Sequence, residues 1–225
     1  MILCIADVLS PEELHTIHSK LAQGDFEEGS KTAGWLAKPV KYNQQLSPAS
    51  PLWAELQAQL LPTLEHHPLI QIAAYPNIIH PLRLSRYQPG MFYGIHSDNA
   101  LMPSPKGGMM RTDLSLTLFL SDPSSYEGGE LVIDTPWGEQ AYKLPAGSLV
   151  LYPAGFLHQV TPVVSGTRLV AVTWIQSWIR DPQQRQILFE LQTLRQELFE
   201  AEGKTARVDR LSAIRANLMR QWVEF

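Results

Sequence analysis

The chain has 225 residues and one cysteine, Cys4, so no disulfide can close within it and a disulfide-built scaffold is excluded. A reducing compartment is compatible with that count. Charged residues make up only 18% of the chain, below the roughly 25% usual for soluble domains. Eighteen basic against twenty-two acidic side chains leave a net charge of −4. So weak an imbalance gives no global attraction to nucleic acid or to an anionic membrane, and leaves only a local basic patch as a route to either. No apolar run approaches the ~18 residues of a membrane-spanning helix. The amino terminus, MILCIADVLSPEELH, has no basic region and turns acidic at Asp7 and Glu12, which makes a poor secretory signal. The expectation is a cytoplasmic protein with neither a nucleic-acid nor a membrane partner.

Hydrophobic residues at 44% and aromatics at 9% are enough for a packed core. At roughly 150 residues per domain the length suits one large domain, or one with an appendage. Fourteen glycines and seventeen prolines mark many turns and favour a β-rich fold. Ser10, Pro11 and Glu13 form a helix-start signature over 10–22. Residues 24–48 read as irregular or edge structure. A second Ser-Pro start opens a helix over 50–65, with Trp53, Leu56 and Leu60 on one face and Pro62 set to bend or end it. From 69 to 176 the pattern becomes short apolar runs between turn residues. Strands are expected at 69–74, 82–88, 91–98, 113–120, 129–134, 148–153 and 168–176, as in a sandwich or barrel. The stretch 99–112 reads as a long loop, a candidate lid. Beyond 178, Ile187, Leu191, Leu194 and Leu198 trace one amphipathic helix. Gly203 interrupts, and Leu211, Ile214, Leu218 and Trp222 trace a second.

Of the seven histidines, His15, His18, His66, His67 and His80 lack partners at metal-binding spacing and read as structural. His96 and Asp98 differ. Side chains two apart on a strand share a face, so an imidazole and a carboxylate can meet at one point. His-x-Asp alone is weak, and His158, after the strand SLVLYP, supplies a third ligand. Two histidines and a carboxylate on one side of a metal leave positions open on the other. Non-haem Fe(II) oxygenases need that arrangement, whereas a structural zinc site would use four ligands and favour cysteine. Arg168, ten residues on, shares a strand face with Val170, Val172 and Trp174. An inward arginine among apolar side chains is costly unless an anion meets it, and guanidinium grips carboxylates through two parallel hydrogen bonds.

The stretches RYQPGMFYGIHSDNA, RTDLSLTLFLSD, YEGGEL, PAGSLVLYPAGFLHQVTPV and GTRLVAVTWIQSWIRD resemble the bacterial PKHD-type hydroxylases, which are Fe(II)- and 2-oxoglutarate-dependent dioxygenases related to prolyl 4-hydroxylases. The resemblance implies a double-stranded β-helix, or jelly roll, flanked by helices. By position it puts iron on His96, Asp98 and His158, and the far carboxylate of 2-oxoglutarate on Arg168 with Tyr87 nearby. L-ascorbate comes with the family. Some relatives carry a further tyrosine near position 119 to share that carboxylate, where this chain has Phe119. The expected reaction is hydroxylation of a C–H bond, with O₂ and 2-oxoglutarate consumed and succinate and CO₂ released. The substrate is left open between a peptidyl residue such as proline and a small molecule. A non-catalytic iron-sensing or binding module is the alternative, and the intact set of three ligands plus Arg168 argues against it. Residues 1–178 are expected to form the dioxygenase domain and 179–225 a helical extension. Leu218 and Trp222 of that extension are expected to meet a second copy in a homodimer.

Overall fold

The computed structural model describes residues 1–224. The chain opens with β1 (Leu3–Ile5) and α1 (Pro11–Leu21). The Ser10 hydroxyl accepts the Glu13 N–H at 3.2 Å, and the Glu13 carboxylate accepts the Ser10 N–H at 2.8 Å, the reciprocal cap that the sequence encodes. Short strands β2 (Phe26–Glu28), β3 (Lys41–Tyr42) and β4 (Gln44–Leu46) follow, then α2 (Pro51–His66) and α3 (Pro68–Ala74). Next come β5 (Pro76–Ile79), β6 (Arg83–Tyr87), β7 (Phe92–His96), β8 (Leu101–Pro103), β9 (Met109–Arg111) and β10 (Leu114–Phe119). After them run β11 (Tyr126–Gly128), β12 (Leu131–Thr135), β13 (Gly138–Tyr142), β14 (Leu149–Pro153), β15 (His158–Val160), β16 (Val163–Gly166) and β17 (Arg168–Ser177). Helices α4 (Pro182–Glu202) and α5 (Ala206–Trp222) come last.

Two antiparallel sheets make the core. The larger runs β1-β14-β10-β17-β6-β4-β2, with β5 also on β17, and the smaller runs β13-β12-β15-β7-β3. From β6 onward the chain alternates between them: β6, β10, β14 and β17 lie in the larger sheet, β7, β12 and β15 in the smaller. This is the expected double-stranded β-helix. Strand β10 shows how the larger sheet divides its faces. Leu114, Leu116 and Leu118 pack with Ile17, Leu56 and Leu60 of the helices, while Phe119 packs with Tyr87, Val150 and Val170 in the second cluster between the sheets. The period of two therefore turns Ser115 and Thr117 inward as well. Leu116 is fully buried, and truncating such a leucine to alanine costs roughly 2–5 kcal/mol.

Several expectations need correction. Residues 69–74 are helix α3, not a strand. The run LIQIAA buries Ile70, Ala73 and Ala74, the three- and four-residue spacing of a helix, and Pro68 at its first turn favours that start. Of the two outcomes expected at Pro62, a bend or an end, the end does not occur: α2 continues to His66 and buries Leu64 beyond Leu56 and Leu60. The 99–112 stretch is not a plain loop, because β8 and β9 pair within it, with Met102 opposite Met110. The stripe on α4 is shifted: Arg185 and Leu188 are its buried residues, while Ile187 and Leu194 are exposed. Leu218 and Trp222 pack inside their own chain, against the cluster of Tyr75, Ile179 and Leu188. Arg185 fixes that docking by donating to the carbonyls of Ile179 and Arg180, both at 2.7 Å.

Candidate metal centre and anion pocket

Strands β7 and β15 are neighbours in the smaller sheet, and their register sets His96 directly opposite His158. The ring centroids are 4.3 Å apart. Each imidazole is held from behind: Nδ1–H of His96 donates to the Gly94 carbonyl and Nδ1–H of His158 to the Phe156 carbonyl, both at 2.9 Å. That fixes the tautomer and leaves each Nε2 with a free lone pair. Burial, then the neighbouring His158 ring, pushes His96 down to about 4, so it is neutral and able to ligate at physiological pH.

Asp98 reaches the same point by another route. Strand β7 stops at His96, so the shared strand face expected for His96 and Asp98 ends before the carboxylate. Instead Ser115 of β10 donates its hydroxyl to Asp98 Oδ2 at 2.5 Å. Asp98 Oδ2 lies 3.8 Å from His158 Nε2. One ligand atom from each of His96, Asp98 and His158 lies within 4.8 Å of the others. Tyr93 is stacked on His96 at 3.6 Å between centroids.

Arg168 begins β17, opposite Tyr87 on β6. It is 1% exposed. No carboxylate among the described residues pairs with it, and its Nε and Nη1 have no hydrogen-bond partner. Its guanidinium carbon sits 5.0 Å from the Tyr87 ring centre and 5.7 Å from that of Phe119. The buried Tyr126 side chain stands beside it, its hydroxyl turned to the guanidinium. Gly129, at φ +68°, makes room: a Cβ there would stand 3.0 Å from Arg168 Cδ. An unpaired buried guanidinium carries a penalty of several kcal/mol, which an incoming carboxylate offsets. The donor set thus fits an Fe(II) ion, and the orphaned nitrogens of Arg168 fit the carboxylate of 2-oxoglutarate.

His96, Asp98, His158, Arg168 and Tyr87 all line one cavity of about 830 Å³. That volume is in the range of sites for drug-sized molecules. The five histidines set aside in the sequence do not line it, and His80 packs edge-on against Trp174. Ser115, Thr117, Tyr126, Asn43, Lys41 and Arg83 belong to the site or its walls and escaped sequence reasoning. The two hydroxyls alternating with leucines in LSLTLF were a usable signal. Tyr126 opens the family-like stretch YEGGEL but was given no role, because it enters from β11, a strand of a separate two-stranded ribbon.

Residues 82–176 match the 2OG-Fe(II) oxygenase superfamily, and residues 182–224 match the PKHD-type hydroxylase C-terminal domain. A PKHD-type hydroxylase of Synechococcus sp. (strain JA-2-3B'a(2-13)) is 52% identical over 224 residues, covering both chains completely. Another from Crocosphaera subtropica is 49% identical over the same span. The chain belongs to the PKHD-type hydroxylases. As a member of that family it is an Fe(II)- and 2-oxoglutarate-dependent hydroxylase, an oxidoreductase that takes O₂ and 2-oxoglutarate as co-substrates. Among solved structures, a Pseudomonas putida prolyl-4-hydroxylase superposes with a TM-score of 0.52 at 18% identity, over 78% of this chain and 92% of that one. The carbocyclase SnoK from nogalamycin biosynthesis superposes at 0.57 and 15%, over 79% and 80%. Both likenesses speak for the jelly-roll fold alone. Among the described residues no helix is long and apolar enough to cross a membrane.

Proposed function

We propose that His96, Asp98 and His158 hold the iron of this PKHD-type hydroxylase, and that Arg168 anchors the far carboxylate of 2-oxoglutarate with the Tyr87 and Tyr126 hydroxyls beside it. The observation that carries this reading is the pairing of a three-residue donor cluster with a buried, unpaired guanidinium in one cavity. When bound, iron with 2-oxoglutarate and O₂ supplies hydroxylation of a C–H bond, with succinate and CO₂ released. The chain's own residues orient and exclude. Gly94 and Phe156 carbonyls fix the two imidazoles, Ser115 aims Asp98, and Arg168 sets the direction from which the co-substrate reaches the donors. Val160, Leu131 and Val172 line the cavity with apolar surface and keep water from the reacting C–H. No side chain is required as nucleophile or general base.

L-ascorbate as the reductant that keeps the iron in its ferrous form, a cytoplasmic location, and the absence of nucleic-acid and membrane partners are part of the same proposal. So is a division into a dioxygenase domain over 1–178 and a helical extension over 179–225, which self-associates as a homodimer. The β8–β9 hairpin, which lends Met102 to the cavity wall, is proposed as its lid. The primary reading is tested by following succinate release from 2-oxoglutarate together with iron content. Wild type should bind one Fe(II) per chain and turn over 2-oxoglutarate. A double variant, His96→Ala with His158→Ala, should lose both while still folding. Undiminished iron in that variant would remove these residues from the metal site.

A further inference from the structure

The cavity wall carries two cations that neither the iron nor 2-oxoglutarate accounts for. Lys41, from β3 in the smaller sheet, and Arg83, from β6 in the larger, converge on Thr32. Lys41 Nζ donates to Thr32 Oγ1 at 2.8 Å, and Arg83 donates to the Thr32 carbonyl at 3.3 Å. Lys41 is 7% exposed. Among the described residues no carboxylate lies within 4.0 Å of either, and Asp98 is the one carboxylate lining the cavity. Thr32 satisfies one of the three Lys41 N–H groups. Arg83 otherwise sits over Trp174, 4.9 Å from its ring centre, a contact that does not neutralise the guanidinium. Arg86 on the same strand is different: it points the other way, onto Phe26 and Gln44. Fe(II) and 2-oxoglutarate cancel in charge, and Arg168 balances Asp98. The loaded cavity is therefore left with the charge of Arg83 in excess, together with that of Lys41 whenever it is protonated.

A buried cation without a counter-ion, as Lys41 is, is costly, and the half-buried Arg83 on the facing wall repels it as well. Lys41 feels this, being pushed down to about 7 by burial first and by Arg83 second. A bound anion relieves both terms. We propose that Lys41 and Arg83 form a subsite for a carboxylate of the primary substrate, which makes the hydroxylated molecule an organic acid. The proposal rests on the reading of the site given above and adds the substrate class to it. Tyr93 links the subsite to the donors: Lys41 Nζ is 5.1 Å from the Tyr93 ring centre, and the same ring stacks on the His96 imidazole at 3.6 Å between centroids. A carboxylate held here leaves the adjoining aliphatic chain beside the metal donors. The mouth continues in apolar side chains, with Trp35 at 86% and Leu36 at 74% exposure lining the same cavity, so the rest of the acid has an apolar surface to lie on.

The experiment is an anaerobic calorimetric titration of the full chain loaded with Fe(II) and 2-oxoglutarate. The probes are straight-chain carboxylates from acetate to octanoate and the neutral amide of each. The acids should bind about tenfold or more tightly than their amides, in line with hydrogen bonds to charged groups. Lys41→Met and Arg83→Gln should each abolish that preference while leaving 2-oxoglutarate affinity at the wild-type value. Excess 2-oxoglutarate should not displace the acid. Absence of an acid preference anywhere in the panel, with neither series binding included, overturns the proposal. So does loss of 2-oxoglutarate affinity in both variants, which would give the two cations to the co-substrate. The two variants stand in for one another if either fails to fold. Failure of the underlying reading is seen separately, as wild type that takes up no 2-oxoglutarate in the loading step.

Discussion

The Ser115 hydroxyl, on the larger sheet, donates to the Asp98 carboxylate, carried by the chain leaving the smaller sheet, at 2.5 Å. The two residues tie the sheets together at the point where the donors converge. Ser115 is fully buried, so removing its oxygen leaves Asp98 free to rotate away from the two imidazoles. Ser115→Ala should weaken Fe(II) binding by about 10–100-fold, the range for partners that orient a ligand. Metal titration with chelator competition reads this. Unchanged affinity would mean that the backbone alone fixes Asp98.

Arg168 carries the second prediction. Arg168→Ala should reduce 2-oxoglutarate affinity by about 1.5–3 kcal/mol, and Arg168→Lys should recover only part, because an ammonium cannot reproduce the fork. Gly129→Val should act in the same direction without touching the guanidinium's charge. Its Cβ would press on Arg168 Cδ, and its positive φ is strained for a branched side chain. Calorimetry with 2-oxoglutarate should rank wild type above Arg168→Lys, and Arg168→Lys above Arg168→Ala. Equal affinity in wild type and Arg168→Ala would take this residue out of the site.

How far the sequence carried the reading depends on what kind of signal each residue leaves. His96, Asp98, His158 and Arg168 have spacings that survive in one dimension, and the structure gathers all four in one cavity. Strands β6, β7, β10, β12, β14 and β17 were legible because turn residues bracket them, whereas the short β8, β9, β11, β13, β15 and β16 were not, being too brief to show an alternation of their own. The run 69–74 was not, since a short apolar stretch looks the same as a buried helix or a buried strand until its neighbours are known. Lys41, Asn43 and Arg83 were invisible for a different reason. They become neighbours only because the chain passes from the smaller sheet to the larger between β3 and β4, bringing residues about forty apart onto facing walls. Phe119 lacks the hydroxyl that some relatives carry there, and Tyr126, the first residue of YEGGEL, stands beside Arg168 in its stead.

Lys41 gives a pH dependence whose sign follows from its direction of shift. Burial lowers the folded-state value to about 7 from 10.5. Between those limits the unfolded chain holds a proton that the folded chain has lost, so the contribution of Lys41 to stability rises with pH across that window. Below pH 7 both states are charged and the burial penalty is constant. The slope is at most about 1.4 kcal/mol per pH unit. Urea unfolding of the metal-free protein at intervals from pH 7 to 9.5 should show stability rising with pH in wild type relative to Lys41→Met. Parallel curves for the two would mean that Lys41 keeps an ordinary lysine value in the folded protein.

The helical extension yields the last prediction. Leu218 and Trp222 pack partly inside the chain against Ile179 and Leu188, which leaves them less surface for a second copy than their periodicity suggested. The apolar residues left to solvent are others: Ile187 at 43%, Leu194 at 51%, Phe199 at 53% and Ile214 at 44% exposure. Ile187 and Leu194 are seven apart on α4 and so share a face, the spacing of a seam that a second helix covers. A symmetric dimer would set this face against itself. Cutting the chain after Arg180 is a poor test, because it strips α4 and α5 from Tyr75 and Ile179 and unmakes part of the core. Ile187→Glu combined with Leu194→Glu leaves that packing alone and places charge on the exposed face. Light scattering at tens of micromolar should report a dimer for wild type and a monomer for the double variant, with the thermal midpoint little changed. A monomeric wild type would refute self-association through this face and leave α4 and α5 as a brace for the larger sheet.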